Sequence, residues 1–565
     1  MMLKFTVICL ATALLAAIPS TSGAQTNSST EWIGGYTLDT RWTLLRMHMT
    51  DSATGPSATI DAPSMELMAQ PAVDMRQQSA TIGFRLSLAS AQLSFEGRIG
   101  EDAIEGTVAS GEQQGRFQLL RSATTDRSSL AQYQGAYEWG PNHFVYVQFW
   151  DELGKDQLGV FDESGETRSL YPLGNDKFFV GPGLGFPVPL EARIIFHRHP
   201  HGAITSLSWE RPSQAVRVAQ RVTLYSQQDV TFRNGDIRLA GTLLSPNTDG
   251  KHPAMILAHG SGPEDRNALL PFVRFMVRHG ITLLAYDKRG VGGSTGNWRN
   301  SSFDDLAGDA IAALQFLKSR TDIDPKQIGI FGVSQGGWIG PLVASRSKDI
   351  AFVISVSGAA VTPGEETMDY MQSELRVNDV PANEIAEAVA LTKLSYDFAR
   401  TDRGWNEYLA ARKKLENKAW LPYIGAPATR DDPQWALMRL VYFYDPIPTL
   451  KKVRCPTLAF FGGLDLNVLP EKNKAKWKSA LEEAGNRDYT LLILPKGNHV
   501  LMEAKAGSTE EFPSLQRFLP EYFTTVLNWF SRRIRGLDHS PSSLPTSSLS
   551  TGDVDILSYL LPQRP

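Results

Sequence analysis

Along the first 225 residues, apolar and polar positions alternate with a period of two. Ala80-Thr81-Ile82-Gly83-Phe84-Arg85-Leu86-Ser87-Leu88 and Phe144-Val145-Tyr146-Val147-Gln148-Phe149 are clear instances, and Gly, Asn, Asp and Pro separate such runs. This pattern predicts antiparallel strands with one face buried. Almost no helical period interrupts it, so residues 30–225 are expected to be a β-rich amino-terminal region. Trp32-Ile33-Gly34-Gly35-Tyr36 is echoed by Tyr133-Gln134-Gly135-Ala136-Tyr137. The echo divides the region into two expected β units, 30–122 and 130–225.

The period changes from about residue 228. Val230–Leu244 reads as two strands around an Asn234-Gly235 turn. Short, wholly apolar runs then alternate with amphipathic stretches. Ala254–Ala258, Ile281–Tyr286, Ile328–Phe331, Ala351–Val356, Thr457–Phe461 and Tyr489–Leu494 are the expected buried strands. Ser302 is placed to cap a helix reaching Ser319, with Leu306, Ala310, Ala313, Leu314 and Leu317 on one face. Strand–helix–strand alternation of this kind predicts an α/β unit over 228–535, its mostly parallel sheet covered on both faces. Between 364 and 450 the alternation gives way to a helical, aromatic-rich stretch. A last helix is expected over 514–533. Residues 536–565 are Ser- and Pro-rich and read as a disordered tail.

Composition narrows the function classes. The chain has 565 residues, 42 % apolar and 21 % charged, which are globular proportions. A net charge of −4 offers no basic footprint for nucleic acid. Residues 1–24 combine Lys4, an uncharged apolar run from Phe5 to Ile18 and the small Ser22-Gly23-Ala24 site of a secretory signal peptide. Cleavage after Ala24 would export the protein to a bacterial periplasm or the medium. It would also remove Cys9 and leave Cys455 as a lone thiol, so no internal disulfide is expected. No later run is apolar enough to span a membrane, so no stable insertion is expected.

One motif carries the chemistry. Gly332-Val333-Ser334-Gln335-Gly336 follows an expected strand and opens an expected helix, the context of a G-x-S-x-G nucleophile elbow. A serine hydroxyl needs a base, and the base needs a group that fixes its tautomer. His499 lies just past the last strand and Asp465 just past the one before. The chain order Ser334, Asp465, His499 is the order such elbows require. The oxyanion of a tetrahedral intermediate needs backbone donors. Gln335 supplies one N–H, and the loop His259-Gly260-Ser261-Gly262 is expected to supply the second from Ser261. His259 reads as structural.

With these motifs in place, residues 228–535 resemble the α/β-hydrolase superfamily. His259-Gly260-Ser261-Gly262-Pro263, Tyr286-Asp287-Lys288-Arg289-Gly290-Val291-Gly292-Gly293-Ser294 and the elbow together look like those of bacterial secreted serine esterases. These stand near dienelactone hydrolases and the catalytic domains of prolyl-oligopeptidase-type enzymes. The resemblance implies hydrolysis of a small acyl substrate through an acyl-enzyme, with no cofactor. It implies that the Asp287–Gly290 turn organises the loop beside the pocket. It also places a helical cap at 364–450, whose aromatics are expected to line an apolar acyl pocket. Carboxylic esters are the leading substrate class, and a secreted peptidase or amidase is the alternative. His197, His199 and His201 alternate as metal ligands can, but Pro200 interrupts them and no Cys or carboxylate cluster joins them, so no metal site is expected. Gly290–Ser294 lacks the Lys-Ser/Thr ending of a phosphate loop.

Overall fold

The computed structural model describes residues 29–534, apart from 39–40, 53–54, 63–66, 89–91, 124, 150–157, 164, 182–191, 212–213, 509–510, 512–514 and 516. The signal segment 1–24 and the tail 536–565 expected from sequence lie outside the described residues. The chain divides into two units that meet between Thr223 and Leu224.

Among the described residues, the first unit is antiparallel strand save one short helix, Arg127–Ala131, which Asp126 caps through the Ser129 N–H. Its first part is a nine-stranded sheet from Ser29–Leu38 to Gln113–Ser122, whose first and last strands pair in mid-sheet. The two edge strands, Leu67–Pro71 and Val73–Gln78, are joined by Ala72 alone, so the sheet must curl until its edges approach. Phe84 stacks on Phe95 at 4.6 Å and Phe117 meets both edge-on, filling the concave side. The second part is a closed eight-stranded barrel from Gly135–Gly140 to Arg217–Val222. Ala136 opposite Val222 completes the ring. Eight strands leave an interior that side chains can fill, here with Tyr137, Val145, Phe178, Ile194 and Phe196. On the outer hairpin, His197 bonds Ser208, and the His199 and His201 rings lie 4.9 Å apart.

The second unit has an eight-stranded sheet, numbered here within the unit: β1 Tyr225–Asn234, β2 Ile237–Pro246, β3 His252–Ala258, β4 Thr282–Tyr286, β5 Ile323–Val333, β6 Val353–Val356, β7 Thr457–Gly462 and β8 Tyr489–Leu494. The order is β1-β2-β4-β3-β5-β6-β7-β8, parallel from β4 to β8 with an antiparallel hairpin at one edge. Burial on both faces explains why β3, β4 and β7 are unbroken apolar runs rather than alternating ones. Helix α1, Phe303–Lys318, is capped by Ser302 with Asp305 reciprocating, and its apolar face is buried against the sheet.

Between β6 and β7 the cap contributes α2 Pro363–Val377, α3 Ala382–Thr401, α4 Trp405–Lys414 and α5 Gln434–Val441. Trp435 meets Phe398, Trp405 and Tyr408 edge-on at 4.8–6.2 Å. The last helix, α6, spans Pro520–Ser531 and is shorter than the 514–533 expected. Phe518 is instead bridged to Met502, and the Leu519 N–H donates to the Leu501 carbonyl. That pairing holds the segment extended until Pro520, whose fixed φ suits a first helical turn. Among the described residues, no helix is long and apolar enough to cross a membrane.

Beyond β4, Arg289 reaches across to α1 and makes a two-pronged pair with Asp309, which is 1 % exposed. Removing one partner of such a pair leaves a buried charge uncompensated and costs about 3–5 kcal/mol. Arg289→Met should therefore lower the melting transition of this unit by several degrees in calorimetry, whereas a swap at exposed Arg233 should not.

Candidate active site

β5 ends at Val333 and the following helix, Gly336–Arg346, begins three residues on, so Ser334 and Gln335 make the whole turn. Ser334 has φ +53°, left-handed backbone that costs a side-chain-bearing residue about 1–3 kcal/mol. Its N–H donates to Val356 at 2.9 Å and its carbonyl accepts from Gly337 at 2.8 Å, which holds the strained residue at both ends. The flanking glycines are obligatory on steric grounds. A Cβ on Gly332 would lie 2.2 Å from the Gly336 carbonyl oxygen, and one on Gly336 would lie 2.3 Å from that of Ala258.

Asp465 and His499 come from the loops after β7 and β8. The Asp465 carboxylate is almost fully buried. One oxygen accepts the N–H groups of Asn467 and Val468 at 2.8 and 2.9 Å. The other meets His499 Nδ1 at 2.9 Å. Three donors thus fix the carboxylate, and the carboxylate fixes Nδ1 as the protonated ring nitrogen. His499 Nε2 then faces the Asn467 amide nitrogen at 3.4 Å. Burial alone would lower the His499 pKa. The Asp465 charge and hydrogen bond, helped by Glu366, outweigh burial and raise it above the usual histidine value.

Ser334, Gln335, Ser261 and Asn467 all line one cavity of about 110 Å³. Asn467 touches both this cavity and His499 Nε2, which connects the imidazole to the space that Ser334 faces. His259 is buried, donates to the Tyr286 carbonyl and has its pKa depressed to about 3 by burial and by Lys288. It is a neutral strut, as expected from sequence.

The cap aromatics require a correction. Phe398, Trp405, Tyr408 and Trp435 pack on one another as the core of the cap, because interdigitated rings are what hold its helices together. Tyr370 and Tyr442 do line the cavity, with Trp298, Phe303 and Trp338 from outside the cap.

Three residues near the site escaped sequence reasoning. Glu366 of α2 lines the cavity, 8 % exposed, and burial with the neighbouring carboxylates pushes its pKa up to about 8. Asn467 stands two places after Asp465, a spacing that could have flagged it. Lys288 lies within Tyr286–Ser294, but nothing local foretells that its ammonium turns inward. Its Nζ donates to the carbonyls of Gly260 and Gly262 and to the Gln335 side chain.

The His499 environment makes a measurable statement. Asp465→Asn removes the charge that opposes desolvation, so the imidazole pKa should fall below that of the unaltered protein. NMR titration of the ring protons checks it, and an unchanged value would contradict the coupling.

Residues 250–505 match the family model described as serine aminopeptidase, S33. Esterase EstD of Thermotoga maritima is 27 % identical over 297 residues, 50 % of this chain and 62 % of EstD. The quorum-quenching protein AidA of Acinetobacter baumannii is 31 % identical over 137 residues, 24 % of this chain and 44 % of AidA. The chain thus spans less than two thirds of the length of either relative. A Pyrococcus furiosus esterase structure aligns at TM-score 0.36 and 16 % identity, covering 55 % of this chain and 92 % of that one. The family match over 250–505, laid on a β1-β2-β4-β3-β5-β6-β7-β8 sheet with its elbow after β5, identifies the second unit as an α/β-hydrolase-superfamily domain.

Proposed function

We propose that the protein is a serine hydrolase that cleaves carboxylic esters of short acyl groups. The observation that carries this reading is the bond from His499 Nδ1 to buried Asp465, with Nε2 against Asn467, which lines the same cavity as Ser334. In this reading Nε2 takes the Ser334 Oγ proton as the oxygen attacks the acyl carbon. The carbonyl π electrons move to oxygen, and the N–H groups of Gln335 and Ser261 bind the resulting oxyanion. The tetrahedral adduct collapses, and the imidazolium returns the proton to the departing alkoxide. Water, deprotonated by the same Nε2, then releases the acid by the same two steps. Asp465 keeps the ring oriented and stabilises its charged form.

Esters are favoured over amides because an alcohol leaves with less protonation than an amine. A cavity of about 110 Å³ is small beside the ~300–1,000 Å³ of pockets for drug-sized ligands, which favours short acyl chains. The peptidase or amidase reading draws support from the description of the matching family.

Two experiments test the proposal. Ser334→Ala should lower turnover of p-nitrophenyl acetate or butyrate by about 10⁴-fold or more, and abolish labelling by a fluorophosphonate probe. Retained turnover would remove Ser334 from the mechanism. Across p-nitrophenyl esters of rising acyl length, kcat/KM should peak at short chains and fall for long ones. Faster cleavage of aminoacyl anilides than of any ester would favour the peptidase reading.

A further inference from the structure

We propose that Lys288 is a positioning residue for oxyanion binding: its ammonium holds the Gly260–Ser261 peptide so that the Ser261 N–H turns into the cavity, and it acts on catalysis through that peptide. This rests on the serine-hydrolase reading above.

The geometry begins with a count of donors. An ammonium has three N–H bonds and no acceptor. Lys288 Nζ meets three oxygens, Gly260 O at 2.6 Å, Gln335 Oε1 at 2.9 Å and Gly262 O at 3.1 Å. A trans peptide directs its C=O and N–H to opposite sides. Fixing the Gly260 carbonyl on Lys288 therefore aims the Ser261 N–H the other way, and Ser261 lines the cavity. The same ammonium grips the side chain of Gln335, the residue whose backbone N–H is the second proposed donor. One charge thus ties together the two segments that would hold the oxyanion. Glu264 fixes the loop from its other side by accepting the Gly260 N–H at 2.7 Å.

This charge is costly to keep. Lys288 is 2 % exposed, and its hydrogen bonds all go to neutral oxygens. The Trp298 ring, which lines the cavity, lies 5.3 Å from the ammonium. Asp287 and Arg289 beside it are engaged elsewhere, with Arg266 and with Asp309. A lysine needed only for packing would be replaced by an apolar residue at a gain.

Burial lowers the Lys288 pKa to about 8, with Glu264 opposing. The titratable and charged groups facing it are Glu264 and His259 on the loop, the latter neutral, and Arg299 beyond the Trp298 ring. Above that pH a neutral amine keeps two N–H bonds for three acceptors and loses its charge. Oxyanion binding should weaken with it. Glu366, which lines the cavity, titrates in the same range, so the test uses a Glu366→Gln background.

In that background, kcat and kcat/KM for p-nitrophenyl butyrate should fall as pH rises through about 8. Adding Lys288→Met should lower kcat by about 10²-fold near pH 7, as losing one oxyanion donor does, with KM nearly unchanged. It should also abolish the alkaline fall. Lys288→Arg, which cannot deprotonate in this range, should keep most activity and remove the fall. It serves as the deciding variant if Lys288→Met does not fold. An alkaline fall that survives either substitution, or a loss confined to KM, overturns the proposal. Fluorophosphonate labelling of the unaltered protein separates the two levels. Labelling with unaffected Lys288 variants refutes only the positioning role. Absence of labelling removes the serine-hydrolase reading and this proposal with it.

Discussion

The close approach of three backbone segments at Gly332 and Gly336 is the constraint on which the rest of the second unit depends. A methyl group at either position would enter the carbonyl shell of another segment, at 2.2 and 2.3 Å. Only without those atoms can β5 turn into its helix within two residues. Only then does Ser334 stand at the sheet edge with φ +53°, in a conformation the backbone alone would avoid. The bonds that hold it come from the neighbouring strand end at Val356 and from its own helix start at Gly337. Because β3, β5 and β6 are parallel, their carboxyl ends lie side by side, and the loops after β7 and β8 arrive on the same edge. Parallel pairing therefore gathers Ser261, Ser334, Asp465 and His499, which are dispersed over 239 residue positions in the chain.

A second layer of order comes from three consecutive buried charges after β4. Asp287 clamps Arg266 and the Gly293 N–H. Arg289 locks to Asp309 on α1. Lys288, between them, faces the loop after β3. The outer two are matched ion pairs, so the middle side chain is held in place by its neighbours' commitments. Asp287 and Lys288 engage the segment after β3 and Arg289 engages α1, so three consecutive residues of the turn fix the surroundings of the cavity. The sequence resemblance implied an organising role for this turn, and the hydrogen bonds supply its content.

What could be read from sequence was what local physics encodes. The period of two gave the strands, the apolar runs gave the buried parallel sheet, and Ser302 marked the start of α1 within a residue. The elbow was legible because its glycines are steric necessities. Barrel closure was not, since the pairing of Ala136 with Val222 depends on strand tilt around the whole ring rather than on any local pattern. Nor could ring counts separate cap core from cavity lining. Trp435 and Tyr442 look alike in sequence, and only the direction of each side chain on the folded cap distinguishes them. Glu366 gave no signal at all, because a glutamate in a helix is ordinarily solvated and this one faces inward.

That inward glutamate completes the electrostatic logic of the cavity. Two carboxyl groups act on one imidazole, and their surroundings differ. Asp465 receives two backbone N–H groups and the His499 proton. Glu366 lies in the cavity wall, where desolvation and the charges of Asp465 and Asp369 push its pKa up to about 8. Glu366 is mostly neutral at pH 7. In the proposed ester hydrolysis, a neutral Glu366 would leave the cavity wall without a negative charge where the oxyanion develops. Ionising it would set a like charge near the developing oxyanion and strengthen the grip on the imidazolium proton. Under the proposed mechanism both effects would oppose turnover, so the cap would be coupled to chemistry through protonation as well as through shape.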